Sequence, residues 1–172
     1  MDRAQLASAI AKVATLRGEF RLRSGAFSTD YFDKYRFESD PALLSALAEA
    51  LSQLVPSGVD ALAGLELGGI PLLTALSLHT GLPALFVRKR AKEYGTCRLA
   101  EGGEVAGRRL LVVEDVVSSG GQLLASCEEL RAQGGTIEHA LCVIDREAGG
   151  REVLGARGVE LLALFTRGDL EG

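Results

Sequence analysis

Leu6, Ile10, Val13 and Leu16 recur at the spacing of one helix face, and Gly18 is placed to end that helix. The period then breaks. Residues 19–37 predict two short strands about the Ser24-Gly25 turn, and the stretch holds most of the chain's phenylalanines and tyrosines. Asp40 and Pro41 supply an N-cap and a first-turn proline. Leu43, Leu47, Leu51 and Leu54 line the helix that follows, which Pro56 and Gly58 close. Strands at 61–65, 83–88, 110–114, 137–145 and 159–166 then alternate with helical patterns: up to about Thr80, from about Gly120 to Gln133, and near 151–156. This alternation predicts an α/β fold: a parallel sheet, right-handed crossovers and helices on both faces. In such a sheet ligands bind beyond the strand C-termini. Residues 90–108 break the rhythm. Rich in glycine and charge, they are expected to form a flexible loop, with a basic cluster of Arg88, Lys89, Arg90 and Lys92 at its start.

Length and composition narrow the class. The 172 residues suit a single domain over 1–172, with no internal repeat or linker. Hydrophobic residues are 47% and aromatics 5%, so the core must be built from Leu, Val and Ala, which favours a buried parallel sheet. A net charge of −4 gives no global attraction to nucleic acid. No apolar stretch approaches the ~20 residues of a membrane span, and no secretory signal is evident, so no membrane partner and a cytoplasmic location are expected. Cys97, Cys127 and Cys142 lack metal-ligand spacing, and Cys127 and Cys142 are expected to be reduced core residues. His79 and His139 fall outside every candidate segment.

The candidate chemistry centres on residues 110–122, Leu-Leu-Val-Val-Glu-Asp-Val-Val-Ser-Ser-Gly-Gly-Gln. A buried strand leads through Glu114 and Asp115 to Val116, Val117, Ser118, Ser119, Gly120, Gly121 and Gln122, where a helix begins. The turn and helix N-terminus form an anion site from backbone N–H groups. The acids repel a phosphate but suit sugar hydroxyls or a shared metal ion. A ligand carrying both a ribose diol and a 5′-phosphate answers both halves.

This run resembles the 5-phosphoribosyl-1-pyrophosphate (PRPP) signature of type I phosphoribosyltransferases. Phe20-Arg21-Leu22-Arg23-Ser24-Gly25, with Ser28, Tyr31 and Phe32, and then Asp33-Lys34-Tyr35 and Phe37-Glu38-Ser39-Asp40-Pro41, is similar to the N-terminal hood of the orotate phosphoribosyltransferases. The resemblance puts Arg23, Tyr31 and Phe32 near a flat pyrimidine, where an aromatic face can stack. Gly64-Leu65-Glu66-Leu67-Gly68-Gly69-Ile70-Pro71 resembles the pyrophosphate loop. It implies PRPP contacts at Gly68 and Gly69, made by backbone because longer relatives carry Lys where Gly68 stands. It also implies a non-proline cis peptide near Glu66–Leu67. Residues 86–96 resemble the catalytic loop, with Arg88, Lys89 and Lys92 on positions that neutralise the departing pyrophosphate. Tyr94 replaces a His of longer relatives. Ile144-Asp145-Arg146-Glu147 resembles the pair whose Arg binds the orotate carboxylate, a match for a planar guanidinium.

The resemblance spans about residues 18–147. It implies the parallel-sheet type I phosphoribosyltransferase fold with a small N-terminal hood (18–40) and a mobile catalytic loop. The implied activity converts orotate and PRPP to orotidine 5′-monophosphate and pyrophosphate in de novo pyrimidine synthesis. Mg²⁺ would be held mainly by PRPP oxygens and not by protein side chains. Ser118 would serve both PRPP and orotate, and the protein would be a homodimer with shared active sites. Two alternatives stay open: a purine phosphoribosyltransferase with the same PRPP site, against which Arg146 argues, and a PRPP-sensing regulator of the same fold, which should carry a basic face or added segment not seen here.

Overall fold

A computed structural model describes residues 1–21, 25, 27–90 and 99–171. Arg23, Lys92, Tyr94 and Cys97 lie outside the described residues, as does most of the expected catalytic loop.

Helix α1 (Arg3–Ala14) starts at a capping box in which Asp2 accepts from the Gln5 N–H and the Gln5 side chain accepts from the Asp2 N–H. It ends four residues before Gly18. The β-branched Thr15 turns extended, and Leu16 and Gly18 instead belong to strand β1 (Thr15–Arg21). Pairing decides this: β1 runs antiparallel to β2 (Phe27–Phe32), with Thr15 opposite Phe32 and Leu16 opposite Tyr31. The short helix α2 (Tyr35–Glu38) follows and buries Phe37 completely. Helix α3 (Pro41–Ser52) is capped by Asp40, which accepts from the Ala42 and Leu43 N–H groups.

The rest alternates: β3 (Ala61–Leu65), α4 (Gly69–Thr80), β4 (Ala84–Val87), β5 (Ala100–Glu101), β6 (Arg109–Val117), α5 (Gly121–Ala132), β7 (Thr136–Asp145), α6 (Gly150–Gly155), β8 (Glu160–Thr166) and α7 (Arg167–Glu171). The main sheet has the order β5-β4-β3-β6-β7-β8, parallel except for β5, which pairs antiparallel with β4. The second half of the 90–108 stretch is therefore not a free loop. Leu99, Ala100 and Val105 are buried, and Ala100–Glu101 closes the sheet edge.

Strand alternation fills both faces. Ala61, Ala63, Leu65, Leu110 and Val112 point to the α5 and α6 side, with Leu123, Cys127 and Leu130. Leu62, Leu111 and Val113 point to the opposite side, with Ile10, Leu47, Leu51, Leu72 and Leu76. Cys127 and Cys142 are free and buried. From β3 the chain moves to β4 on one side, whereas β6 lies on the other. The sheet thus reverses direction between β3 and β6, and the crevice beyond their C-termini is where such folds bind ligands.

Candidate active site

The segments singled out in the sequence converge on that crevice. At the end of β6, residues Ser118 to Leu123 line a recess of about 180 Å³ with Glu114, Val116 and Val117. Gly120 makes the turn with φ 74°, a conformation that penalises any Cβ. It also packs on α6: a Cβ there would meet the Gly150 Cα at 3.0 Å. The N-terminus of the twelve-residue α5 opens onto this recess, so backbone N–H groups and the helix dipole favour an anion.

Next to it, Glu66, Arg88, Lys89, Glu114 and Gln122 share a small cleft. The Lys89 N–H donates to Glu66 Oε1 at 2.6 Å, and Arg88 pairs with Glu101 at 3.6 Å. The Lys89 bond fastens the chain just after β4 to the Glu66–Gly69 turn. The Glu66–Leu67 peptide is cis, where the resemblance placed it. Gly69 comes so close to β6 that a Cβ would lie 2.5 Å from the Val113 carbonyl oxygen.

On the other side of Val116 lies a cavity of about 490 Å³, lined by Thr15, Arg17, Ser28, Asp30, Tyr31, Phe32, Arg146 and Arg167 among others. Tyr31 stacks obliquely on Phe20 at 5.5 Å, and Phe32 on Phe37 at 6.3 Å. Arg146 is exposed into this space because its neighbour Asp145 is turned inward: buried, paired with Arg151 at 3.2 Å and accepting from the Glu147 N–H. Ser118 sits on the anion recess and not among the residues lining this cavity. Arg17 and Arg167 had no place in the sequence reading. Thr15 and Arg17 reach the cavity by the two-residue period of β1, a signal hidden once Leu16 is assigned to the helix.

The two acids of β6 part company. Continuing the alternation of Val112 and Val113, Glu114 faces the anion recess and Asp115 faces the opposite side. Asp115 is wholly buried, with Oδ2 2.6 Å from Lys34 Nζ. Direct contact of its carboxylate with a sugar, which the sequence reading assigned to both acids, is closed off in this arrangement. Burial, then the neighbouring Asp115 charge, pushes Glu114 up to about 8. Burial and then Asp115 likewise push Glu38 up to about 9. Burial opposes the charge of Asp115, but the contacts with Glu114, Lys34 and Glu38 outweigh it and hold this carboxyl below its ordinary value. For Lys34 burial is also outweighed, by Asp115 and then Glu114, and the amine is held above its ordinary value.

A parallel sheet with an anion-favouring recess and a cleft of mixed charge at its switch point is an α/β architecture suited to a phosphorylated ligand, and comparison with known proteins makes the class specific. The chain belongs to the phosphoribosyltransferase family, matching its phosphoribosyl transferase domain over residues 36–157, and within it to the orotate phosphoribosyltransferases. It is 49% identical over 168 residues to the orotate phosphoribosyltransferase of a Nocardioides species, covering 98% of this chain and 94% of that protein. Its fold matches the crystal structure of Mycobacterium tuberculosis orotate phosphoribosyltransferase in complex with Fe(III) dicitrate, with TM-score 0.87 and 31% identity over 99% of both chains. The PRPP complex of the M. tuberculosis enzyme gives 0.84 at 28% identity, covering 100% of both chains.

Proposed function

We propose that this protein is a pentosyltransferase that joins orotate to the 5-phosphoribosyl group of PRPP, forming orotidine 5′-monophosphate and releasing pyrophosphate. The observation that carries this reading is the placement of Val116 between two sites: the anion recess of Ser118–Gln122 on one side and the Arg146 cavity, walled by Tyr31 and Phe32, on the other. A ligand whose phosphate fills the first therefore presents its sugar at the mouth of the second.

In the transfer, N–H groups of Ser118 to Gln122 take the 5′-phosphate, and Glu114 accepts from ribose hydroxyls. Arg146 pairs with the orotate carboxylate and Tyr31 and Phe32 flank the ring, with Arg23 completing the hood. The ring nitrogen of orotate bonds to C1 as the C1–pyrophosphate oxygen bond breaks with its electron pair, and the proton that nitrogen carried passes to the departing pyrophosphate or to water. Arg88 and Lys89, with Lys92 from the loop, neutralise the charge that gathers on the departing pyrophosphate. The backbone of Gly68 and Gly69 lines its exit. No covalent intermediate is needed, since positioning and charge supply the catalysis.

Among the described residues no group of three or more His, Cys, Asp or Glu side chains is placed to hold a metal ion. Mg²⁺ would be carried in on PRPP oxygens and water and would neutralise pyrophosphate charge. Residues 18–40 act as the hood and the first half of the 90–108 segment as the catalytic loop of a homodimer, each loop serving the partner's site. Among the described residues no helix is long and apolar enough to cross a membrane.

The test is the loss of orotate absorbance with PRPP and Mg²⁺, using adenine, hypoxanthine and xanthine as controls. Orotate should be consumed only when PRPP and Mg²⁺ are both present. Purine turnover without orotate turnover would sink the assignment.

A further inference from the structure

Three segments meet at the buried Asp115 carboxylate. Its Oδ1 accepts from the Val116 N–H at 2.5 Å, within β6 itself. Its Oδ2 lies 2.6 Å from Nζ of Lys34, which follows the hood strand β2 by two residues. The turn before α4 passes directly over it: a Cβ at position 68 would fall 1.6 Å from the same Oδ2, so any side chain there would have to displace the carboxylate from this position. Glu38, at the end of α2, is 4% exposed and its carboxyl sits beside that of Asp115.

This arrangement is one donor short. The Lys34 amine lies 2.6 Å from Oδ2 as an ion pair, but neither Glu38 oxygen has a donor. Two buried carboxyl groups in contact cannot both ionise at little cost, and an unpaired buried carboxylate is expensive. A proton resolves both problems when it sits on Glu38, which then donates to Asp115 while Asp115 keeps its charge for Lys34.

We propose that Lys34 and Glu38 are positioning residues of the transfer reaction, fixing the Asp115 carboxylate and through it locking the hood and the Gly68 turn to the strand that carries the PRPP recess. Lys34 supplies the charge and Glu38 the hydrogen bond of a neutral acid. The inference rests on PRPP being a substrate, but not on orotate being the acceptor.

Binding of PRPP with Mg²⁺, titrated calorimetrically without orotate, tests it directly. Lys34→Met should raise the PRPP dissociation constant by about tenfold or more, with KM for PRPP rising in parallel and kcat changing far less. Lys34→Arg should recover part of the loss, because it restores the charge. Glu38→Gln keeps a donor and should bind PRPP more tightly than Glu38→Leu, which has none. In an Asp115→Asn background, Lys34→Met should add little further loss, because its partner charge is already gone. Each titration is run below the measured thermal midpoint of the variant. PRPP affinity in folded Lys34→Met within about twofold of wild type overturns the proposal. Equal affinity for Glu38→Gln and Glu38→Leu overturns the role given to Glu38. A wild-type protein that binds PRPP but leaves orotate untouched refutes the orotate reading alone, whereas one that binds no PRPP removes both.

Discussion

Single side chains decide which base this site accepts and at which pH the fold is firm. Arg146 is free to meet a ligand only because Asp145 is held by Arg151 and the Glu147 N–H. If Arg146 pairs with the orotate carboxylate as proposed, replacing it with Ala should weaken orotate binding by ~2–5 kcal/mol, measurable by isothermal titration. An unchanged affinity would remove Arg146 from the site. The buried acids give a second expectation. Glu38 is raised from 4.5 to about 9 and Glu114 from 4.5 to about 8, both chiefly by burial, so between those limits the folded state holds protons that the unfolded chain has released. Stability from these two groups is complete below pH 4.5 and drains away as pH rises towards about 9. Asp115 works in the opposite sense: its pKa is lowered, so its contribution is present above its ordinary 3.8 and is lost on acidification below that. The thermal midpoint should therefore fall from mildly acidic to alkaline pH. Glu38→Gln, which cannot ionise, should flatten that fall. Parallel curves for both proteins would mean that Glu38 is not the group that titrates.

Among the elements, the strand–turn–helix unit from β6 into α5 is the one proposed to take the 5′-phosphate. A sulfate or phosphate soaked into crystals should rest against the amides of Ser118 to Gln122. An anion bound elsewhere, with that turn empty, would count against the PRPP reading. Gly120 is the hinge of the unit. Gly120→Ala forces a Cβ into a left-handed residue and against the Gly150 backbone, at a cost of about 1–2 kcal/mol or more. It should lower both the thermal midpoint and PRPP affinity. Gly121→Ala, at the helical first position with open space around it, should cost much less stability. Equal losses for the two would show that backbone conformation at Gly120 is not what shapes the site.

The whole molecule poses the question of assembly. A two-fold dimer is the commonest symmetric oligomer, and the resemblance to the orotate enzymes implies that the catalytic loop crosses to the partner. Lys92 would then serve the neighbouring site and Asp115 its own. Mixing inactive Lys92→Ala with inactive Asp115→Asn, under conditions where subunits exchange, puts both lesions in one hybrid site and none in the other. Activity should return to roughly a quarter of wild type with random exchange, because half the dimers are hybrid with one intact site each. A mixture that stays inactive after proven exchange, or a protein that is monomeric at working concentration, would refute shared sites.

Local pattern alone determined the alternating β and α elements, the Asp40 cap and the glycine turn after β6, whereas the other segments that meet at the crevice were marked by their resemblance to the orotate enzymes. Each local feature is written in residues near one another in the chain: apolar periodicity, a capping side chain, a glycine where φ is positive. The helix-to-strand switch at Thr15 was not local, because it depends on pairing with β2, which recruits Leu16 and Gly18 out of a helical pattern. The burial of Leu99, Ala100 and Val105 likewise depends on β4 offering an open edge to a stretch that reads as polar loop. Glu114 and Asp115 looked like one functional pair because they are adjacent in sequence. The pleat of a strand sends them to opposite faces, and only the packing of α2 and the Gly68 turn shows what waits on the far one: Lys34 and Glu38, brought to Asp115 from across the chain. Local sequence fixes which chemistry is present, since backbone preference and periodicity act over a few residues. Which groups touch is decided by the tertiary structure, because burial and ion pairing act between residues that only the completed fold brings together.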